Sequence, residues 1–243
     1  MIYRARTPQT GYGRPIGIIL LEEHIPCPPG TPGNPTTFSH PVCYEVASGV
    51  GTQDLRRANP GGLESFIAAG RRLVERGAWA IAGNCGLMVV HQEALARALP
   101  VPILLSSLLQ IPLIARMLGP DAAIGVIASD KNSLSEDHLR LARAGSNARI
   151  VLASMDGRPF FTAAVGEEKG ELDFDGVTAE VVDVARTLVA ANPEVKALLF
   201  ECVDLPPYAH ATQAAVGLPI FDMITLIEHF RSALVRNPFI GVY

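Results

Sequence analysis

Short apolar runs rich in β-branched residues alternate along this chain with longer stretches whose apolar positions recur every three or four residues. The first pattern predicts strands and the second predicts amphipathic helices. Strands are predicted at 16–21, 78–82, 101–105, 123–128, 149–154, 197–200 and 219–221. Helices are predicted at 63–75, 87–99, 108–118, 135–144, 177–191, 206–216 and 223–235. Strand–helix alternation of this kind implies parallel sheets covered on both faces.

The series contains an internal repeat. Ala78-Trp-Ala-Ile-Ala-Gly-Asn-Cys85 and Val195-Lys-Ala-Leu-Leu-Phe-Glu-Cys202 are both apolar runs that end in one small or polar residue and then cysteine. Helix-length segments follow, then Val101-Pro102-Ile103 and Leu218-Pro219-Ile220. Cys85 precedes Pro102 by 17 positions (102 − 85), and Cys202 precedes Pro219 by 17 (219 − 202). A matched repeat predicts two pseudo-symmetric three-layer α/β domains facing each other across a cleft. The boundaries expected are 1–115 with 222–243 for the first domain, the last helix packing back, and 116–221 for the second.

Composition narrows the function. Of 243 residues, 49% are hydrophobic and 18% charged, enough to build a core. The net charge of −4 leaves no basic excess for phosphates, so nucleic acid is not expected as a partner. The N-terminal stretch lacks an apolar signal core, and the apolar stretch 99–118 is broken by Pro100, Pro102, Gln110, Pro112 and Arg116. A cytoplasmic protein with no membrane span is expected, and its four cysteines are then free thiols.

Ligands of parallel sheets bind beyond the C-terminal ends of the strands. Cys85 and Cys202 both sit there, each before a helix start whose free N–H groups favour an anion. That placement predicts thiols with pKa values below the usual ~8.5. A single such cysteine reads best as a small core residue. Two at matched positions of a repeat read as catalytic. Asp204 is placed to cap the helix that Pro206-Pro207 begins.

Gly83-Asn84-Cys85-Gly86 and Glu201-Cys202-Val203-Asp204-Leu205-Pro206-Pro207-Tyr208 resemble the motifs of the aspartate/glutamate racemase superfamily, and the resemblance covers essentially the whole chain. That group includes glutamate, aspartate and hydantoin racemases, maleate isomerase and arylmalonate decarboxylase. The resemblance implies a cofactor-independent racemase or epimerase. One thiol would take a proton from the α-carbon of a small carboxylate, amino acid or hydantoin, and the other would return one. Glutamate racemases commonly follow the second cysteine with Thr-His, where this chain has Val203-Asp204. Arylmalonate decarboxylases keep only the second-half cysteine, so the pair here favours two-base proton transfer. A cis–trans isomerase or decarboxylase on the same scaffold is the nearest alternative. A two-lobed binding protein without chemistry is the alternative from another class. A homodimer is implied only by resemblance.

Proton abstraction beside a carboxylate needs donors for the enolate oxygens. The backbone N–H groups of Gly86, Leu87 and Val203 are the first candidates, and Asn84 and Asp204, close to the thiols in sequence, are expected to bind substrate as well. The hydroxyls of Ser106 and Ser107 are also candidates, with helix capping as their alternative. The segment 26–41 holds six prolines and reads as a stiff loop that could serve as a lid, with Asn34, Thr36 and Thr37 as carboxylate ligands. Glu22, Glu23 and His24 end the first strand, and Ser129, Asp130 and Asn132 follow the fourth; each group could reach the cleft. The three lysines lack a pyridoxal-type context and the six histidines lack metal-ligand spacing, so no cofactor or metal is expected.

Overall fold

The computed structural model describes residues 2–56 and 61–241. Two four-stranded parallel sheets form its framework. The first contains β1 (Ile16–Leu20), β2 (Val42–Val46), β3 (Ala80–Gly83) and β4 (Ile103–Leu104) in the order β2-β1-β3-β4. Its helices are α1 (Thr52–Leu55), α2 (Leu63–Glu75), α3 (Gln92–Ala98) and α4 (Ile111–Leu118). The second contains β5 (Ala123–Ala128), β6 (Arg149–Ser154), β7 (Val195–Phe200) and β8 (Ile220–Phe221) in the order β6-β5-β7-β8. With it come α5 (Glu136–Arg143), α6 (Pro159–Phe161), α7 (Phe174–Ala191), α8 (Ala209–Val216) and α9 (Met223–Leu234). Among the described residues no helix is long and apolar enough to cross a membrane.

The repeat is visible in the pairing. Ile81 pairs with Ile103 in the first sheet and Leu198 with Ile220 in the second. Both pairs are related by the offset of 117 that carries Cys85 to Cys202 (198 − 81, 220 − 103, 202 − 85). The central strands β1 and β5 each carry a glycine where a helix lies too close for a side chain. A Cβ at Gly17 would meet Leu73 and Ala78, each at 3.1 Å, and one at Gly125 would meet Leu198 at 2.7 Å and Leu188 at 2.8 Å.

Both faces of each sheet are covered, which is why the strands read as continuous apolar runs. Ile16, Ile18, Ala80 and Ala82 pack on Met223, Leu226 and Ile227 of α9, so the final helix lies on the first sheet. Asp222 caps that helix by accepting from the Thr225 N–H at 2.8 Å. In the second sheet, Ala123, Ile127, Leu198 and Phe200 face α7, while Ile124, Val126, Ala197 and Leu199 join a cluster that also holds Ile81 and Leu105 of the first. The two halves therefore share core.

Polar contacts also cross between the halves. Ser107 Oγ donates to the Phe200 carbonyl at 2.8 Å, whereas Gln110 Nε2, donating to the carbonyl of Asp222 at 2.9 Å, ties the final helix to the first half. Buried His138 accepts the Ser135 N–H at Nδ1, which leaves the proton on Nε2 to donate to the Leu55 carbonyl at 3.0 Å.

Four elements among the described residues were not anticipated: the 3₁₀ turn Pro35–Thr37, β2, the turn of α1, and the helical segment that runs from α6 through the π-helical turn Thr162–Gly166. The helices expected at 87–99, 108–118 and 206–216 each begin instead as a 3₁₀ turn, at Gly86–His91, Ser107–Gln110 and Pro206–Tyr208.

Phe200 is fully buried in β7, one residue before Glu201 and Cys202. Phe200→Ala should lower stability by about 3–5 kcal/mol, read from denaturant unfolding. A loss under about 1 kcal/mol would mean that this strand is not held by its core side chain.

Candidate active site

Strands β3 and β7 deliver the two thiols to one cavity of about 430 Å³. Past β3 the chain stays extended through Cys85, with φ −154° and ψ 131°, and then turns into the 3₁₀ segment Gly86–His91. Asn84 is fixed by accepting the Leu21 N–H at 2.9 Å, which ties the end of β3 to the end of β1. Opposite, Glu201 and Cys202 leave β7. Here the two turns touch. A Cβ at Gly86 would collide with the carbonyl oxygen and Oε1 of Glu201, so only glycine fits. The thiol of Cys202 donates to Asp204 Oδ2 at 3.5 Å, and Thr52 Oγ1 lies 4.0 Å from Cys85 Sγ.

The expected depression of the thiol pKa values does not occur. Burial pushes Cys85 strongly upward, and the charges of Glu201 and Glu23 add to it, while the Leu87 N–H and Thr52 only partly offset them. Cys202 also rises well above its ordinary value, first from burial, then from Asp204, Glu201 and Cys85. The carboxyls move too. Glu201 is raised to about 7, by burial and by Asp204, against a hydrogen bond from the Ser129 N–H. Asp204 is raised to about 6, by burial and Glu23, against its bond from Cys202. Of these four groups, the two carboxyls beside the thiols titrate nearest neutral pH. Glu201 Oε2 is buried with no hydrogen-bond partner among the described residues.

The lining is markedly acidic. Glu22, Glu23, Asp130, Asp156, Glu167, Glu168, Glu201 and Asp204 all reach the cavity, and Arg56 is the cation among the described residues that lines it. Several of these carboxylates also build the walls. Glu22 accepts the Gly49 N–H at 2.6 Å and Glu23 the Thr52 N–H at 2.8 Å. Glu168 of the second half accepts the His24 N–H of the first at 3.0 Å. Met155, Phe161 and Val165 supply an apolar side. Among the described residues no group of three or more His, Cys, Asp or Glu side chains is placed to hold a metal ion.

Of the residues singled out in the sequence, Cys85, Cys202, Asn84, Gly86, Leu87, Val203 and Asp204 line the cavity together, as do Ser129 and Asp130. Others are placed elsewhere. Ser106 caps a 3₁₀ turn by accepting the Leu108 N–H, and Ser107 points at the Phe200 and Glu201 carbonyls, so both lie behind the site. Asn34, Thr36 and Thr37 bond within their own loop. Asn34 donates to the Cys27 carbonyl and accepts from Thr36, and Thr37 bonds to Gly30 and Thr31. That loop reaches a side chamber of about 100 Å³ through Cys27, Thr31, Pro32 and Gly33, and Glu23, Asn84, Val203 and Asp204 are shared between the two spaces. Asp204 does not cap its helix turn: Leu205 stands at the cap position without a side-chain bond, and the Asp204 carboxyl goes to Cys202 instead. All four cysteines are free.

Arg56, Thr52, Gln53, Phe161, Thr162 and Glu201 line the cavity but were not among the candidates. Glu201 had a signal, because it is the lone charge at the end of a buried apolar strand. Arg56 and Phe161 had none, since each lies in or beside a short turn without periodicity.

No family model matches the chain. Among curated proteins, it is 28% identical over 235 residues to a dimethylsulfoniopropionate lyase of Durusdinium sp. clade D, covering 93% of this chain and 77% of that protein. It is 32% identical to dimethylsulfoniopropionate lyases 5 and 3 of Emiliania huxleyi, again over 93% of this chain, but it spans only 47% and 61% of their lengths. Among solved structures, an arylmalonate decarboxylase variant associated with sulfate matches with a TM-score of 0.62 at 17% identity, covering 91% of this chain and 94% of that one. Glutamate racemase from Bacillus anthracis matches at 0.58 and 13%, covering 93% and 86%. Allantoin racemase from Pseudomonas fluorescens matches at 0.53 and 14%, covering 91% of both. Two four-stranded parallel sheets with flanking helices, matched over nine-tenths of the chain by these enzymes, give this chain the fold that arylmalonate decarboxylase, glutamate racemase and allantoin racemase share.

Proposed function

We propose that this chain is a lyase that removes the proton α to the carboxylate of a small onium carboxylate and expels the group on the β-carbon. The substrate class is that of dimethylsulfoniopropionate, after which its relatives are named. The carrying observation is the acidic cavity that holds both thiols. An anionic dicarboxylate would meet repulsion from most of this lining, whereas a sulfonium centre is attracted to it, with Phe161 offering a ring face and Met155 a soft sulfur.

In the step, a base takes the α-hydrogen and the electrons of its C–H bond form the Cα=Cβ double bond. The Cβ–S bond breaks, and its electrons leave on sulfur as neutral dimethyl sulfide. The other product is acrylate, and the proton passes to solvent. A sulfonium leaves without protonation, so one base suffices. Thiols raised this far are not thiolates at neutral pH by themselves. Asp204 already holds the Cys202 S–H and is positioned to take its proton, while Glu201 acts on Cys85 through its charge.

Racemisation or epimerisation, the reading drawn from the paired cysteines, shares the first step and differs only in the fate of the carbanion. The presence of a thiol on each half favours it, because inversion needs an acid and a base on opposite faces. One experiment separates the two: incubation in D₂O, followed by NMR, of dimethylsulfoniopropionate and of a panel of amino acids and hydantoins. Acrylate and dimethyl sulfide in equal amounts are expected. Deuterium exchange or inversion of the panel with no alkene from the sulfonium would replace the lyase reading with the racemase.

Of Cys85→Ser and Cys202→Ser, the one that removes the base should lower the rate by a factor of about 10²–10⁴, since a serine hydroxyl is a much weaker acid than a thiol. Near wild-type turnover by either folded variant would remove that thiol from the mechanism.

A base works only when deprotonated, so kcat/KM should fall as pH drops through the range of Glu201 (about 7) and Asp204 (about 6). Asp204→Asn should erase the lower inflection and leave the upper. A rate that stays level from pH 5 to 8 would show that neither carboxyl takes part.

A further inference from the structure

The cavity that carries the onium carboxylate reading leaves the other end of such a molecule without an assigned partner. Among the described residues lining it, one side chain carries a positive charge. Arg56 follows the short helix α1, and its side chain is about one-third exposed. Its Nη1 lies 3.5 Å from Asp130 Oδ2, so the guanidinium of the first half is paired with a carboxylate of the second, and both line the cavity. The pairing uses little of what arginine offers. Nε is buried and has no hydrogen-bond partner among the described residues, and 3.5 Å is long for a charge-assisted bond. Asp130 is not held by Arg56 alone, because its Oδ1 accepts the Asn132 N–H at 2.7 Å.

A guanidinium presents its donors as a planar fork that matches a carboxylate in two parallel bonds. Here that fork is engaged loosely, at the rim of a space lined otherwise by acids. We propose that Arg56 is the specificity-determining anchor for the substrate carboxylate, and that Asp130 is its placeholder, displaced when a carboxylate ligand enters. The inference rests on the lyase reading for the identity of the substrate but not for the contact itself. No covalent change is involved, and one ion pair replaces another. The exchange has two consequences. Binding a carboxylate breaks a bridge between the halves, and affinity is set by competition between the ligand and Asp130. With its carboxylate at Arg56, a zwitterion would direct its cationic end toward the acidic lining.

Propionate serves as the probe, because it carries the carboxylate and nothing that can be eliminated. Its binding to the intact chain would be followed by NMR titration. Arg56→Ala is expected to weaken it by a factor of about 10–100, the range for a charge-assisted pair. Arg56→Lys should fall between, keeping the charge and losing the fork. Asp130→Asn should tighten binding several-fold by removing the competitor. In turnover with dimethylsulfoniopropionate, Arg56→Lys should raise KM more than it lowers kcat. Circular dichroism establishes that each variant is folded; should Arg56→Ala fail to fold, Arg56→Lys and Asp130→Asn still give opposite expected shifts. Propionate affinity unchanged in Arg56→Lys, weakened in Asp130→Asn, or undetectable in the wild type would overturn the assignment. Arg56-dependent propionate binding without any turnover would leave the anchor standing and remove the lyase reading instead.

Discussion

The contact of Glu201 with Gly86 is the constraint on which the site depends. The carboxyl and carbonyl oxygens of one cysteine-bearing turn rest against the α-carbon of the other, and there is no room for a side chain between them. Each turn is the end of a strand buried on both faces, so neither can shift without repacking its sheet. Ser107 strengthens the junction from behind by donating to the carbonyls of Phe200 and Glu201. The thiols are thereby fixed relative to each other by backbone and core, and the loops that surround them are left to decide what enters.

That division explains what could be read in the sequence. Strands such as Ala123–Ala128 and Val195–Phe200 are apolar on both faces because helices cover both, so their pattern is local and visible. The 17-residue spacing from each cysteine to its proline survives because strand, turn and helix lengths are set by the layer geometry. Strand β2 was missed because it lies at the sheet edge, half-buried and mixed in character, with Glu45 next to its end held by Arg72 and Arg76. The turns that bring Arg56 and Phe161 to the cavity are too short for any period to register. Asn34, Thr36 and Thr37 looked like free ligands in a proline-rich loop, but short polar side chains among prolines satisfy the loop's own backbone first. Fold was therefore legible from the strands, and the thiols from the repeat. The lining was not, because it is assembled from turns far apart in sequence.

Magnitudes decide why the thiols are raised rather than lowered. A charge near the end of a helix gains about 0.3–1 kcal/mol from its dipole, and here each cysteine precedes only a short 3₁₀ turn. Taking a charge out of water costs several kcal/mol even after relaxation. Sequence placement signals the small term and is silent about the large one, because depth depends on what the other half contributes. The same imbalance governs Glu201 and Asp204. Their folded pKa values lie above the unfolded ones, so the folded state holds their protons more tightly. The stability that this contributes is complete below the unfolded values near pH 4 and is lost as pH rises through about 6 for Asp204 and about 7 for Glu201. Above that range the fold carries two ionised carboxyls in its interior, a burden on the order of a few kcal/mol. A cationic ligand of the proposed class would offset that burden by neutralising the charge it meets. Ligand binding and carboxyl ionisation are therefore coupled in sign: an onium ligand lowers the pKa values of these two acids, and the acids, once ionised, hold the ligand more tightly. In the proposed reaction the carboxylates would thus be most fully deprotonated when the onium ligand is in place.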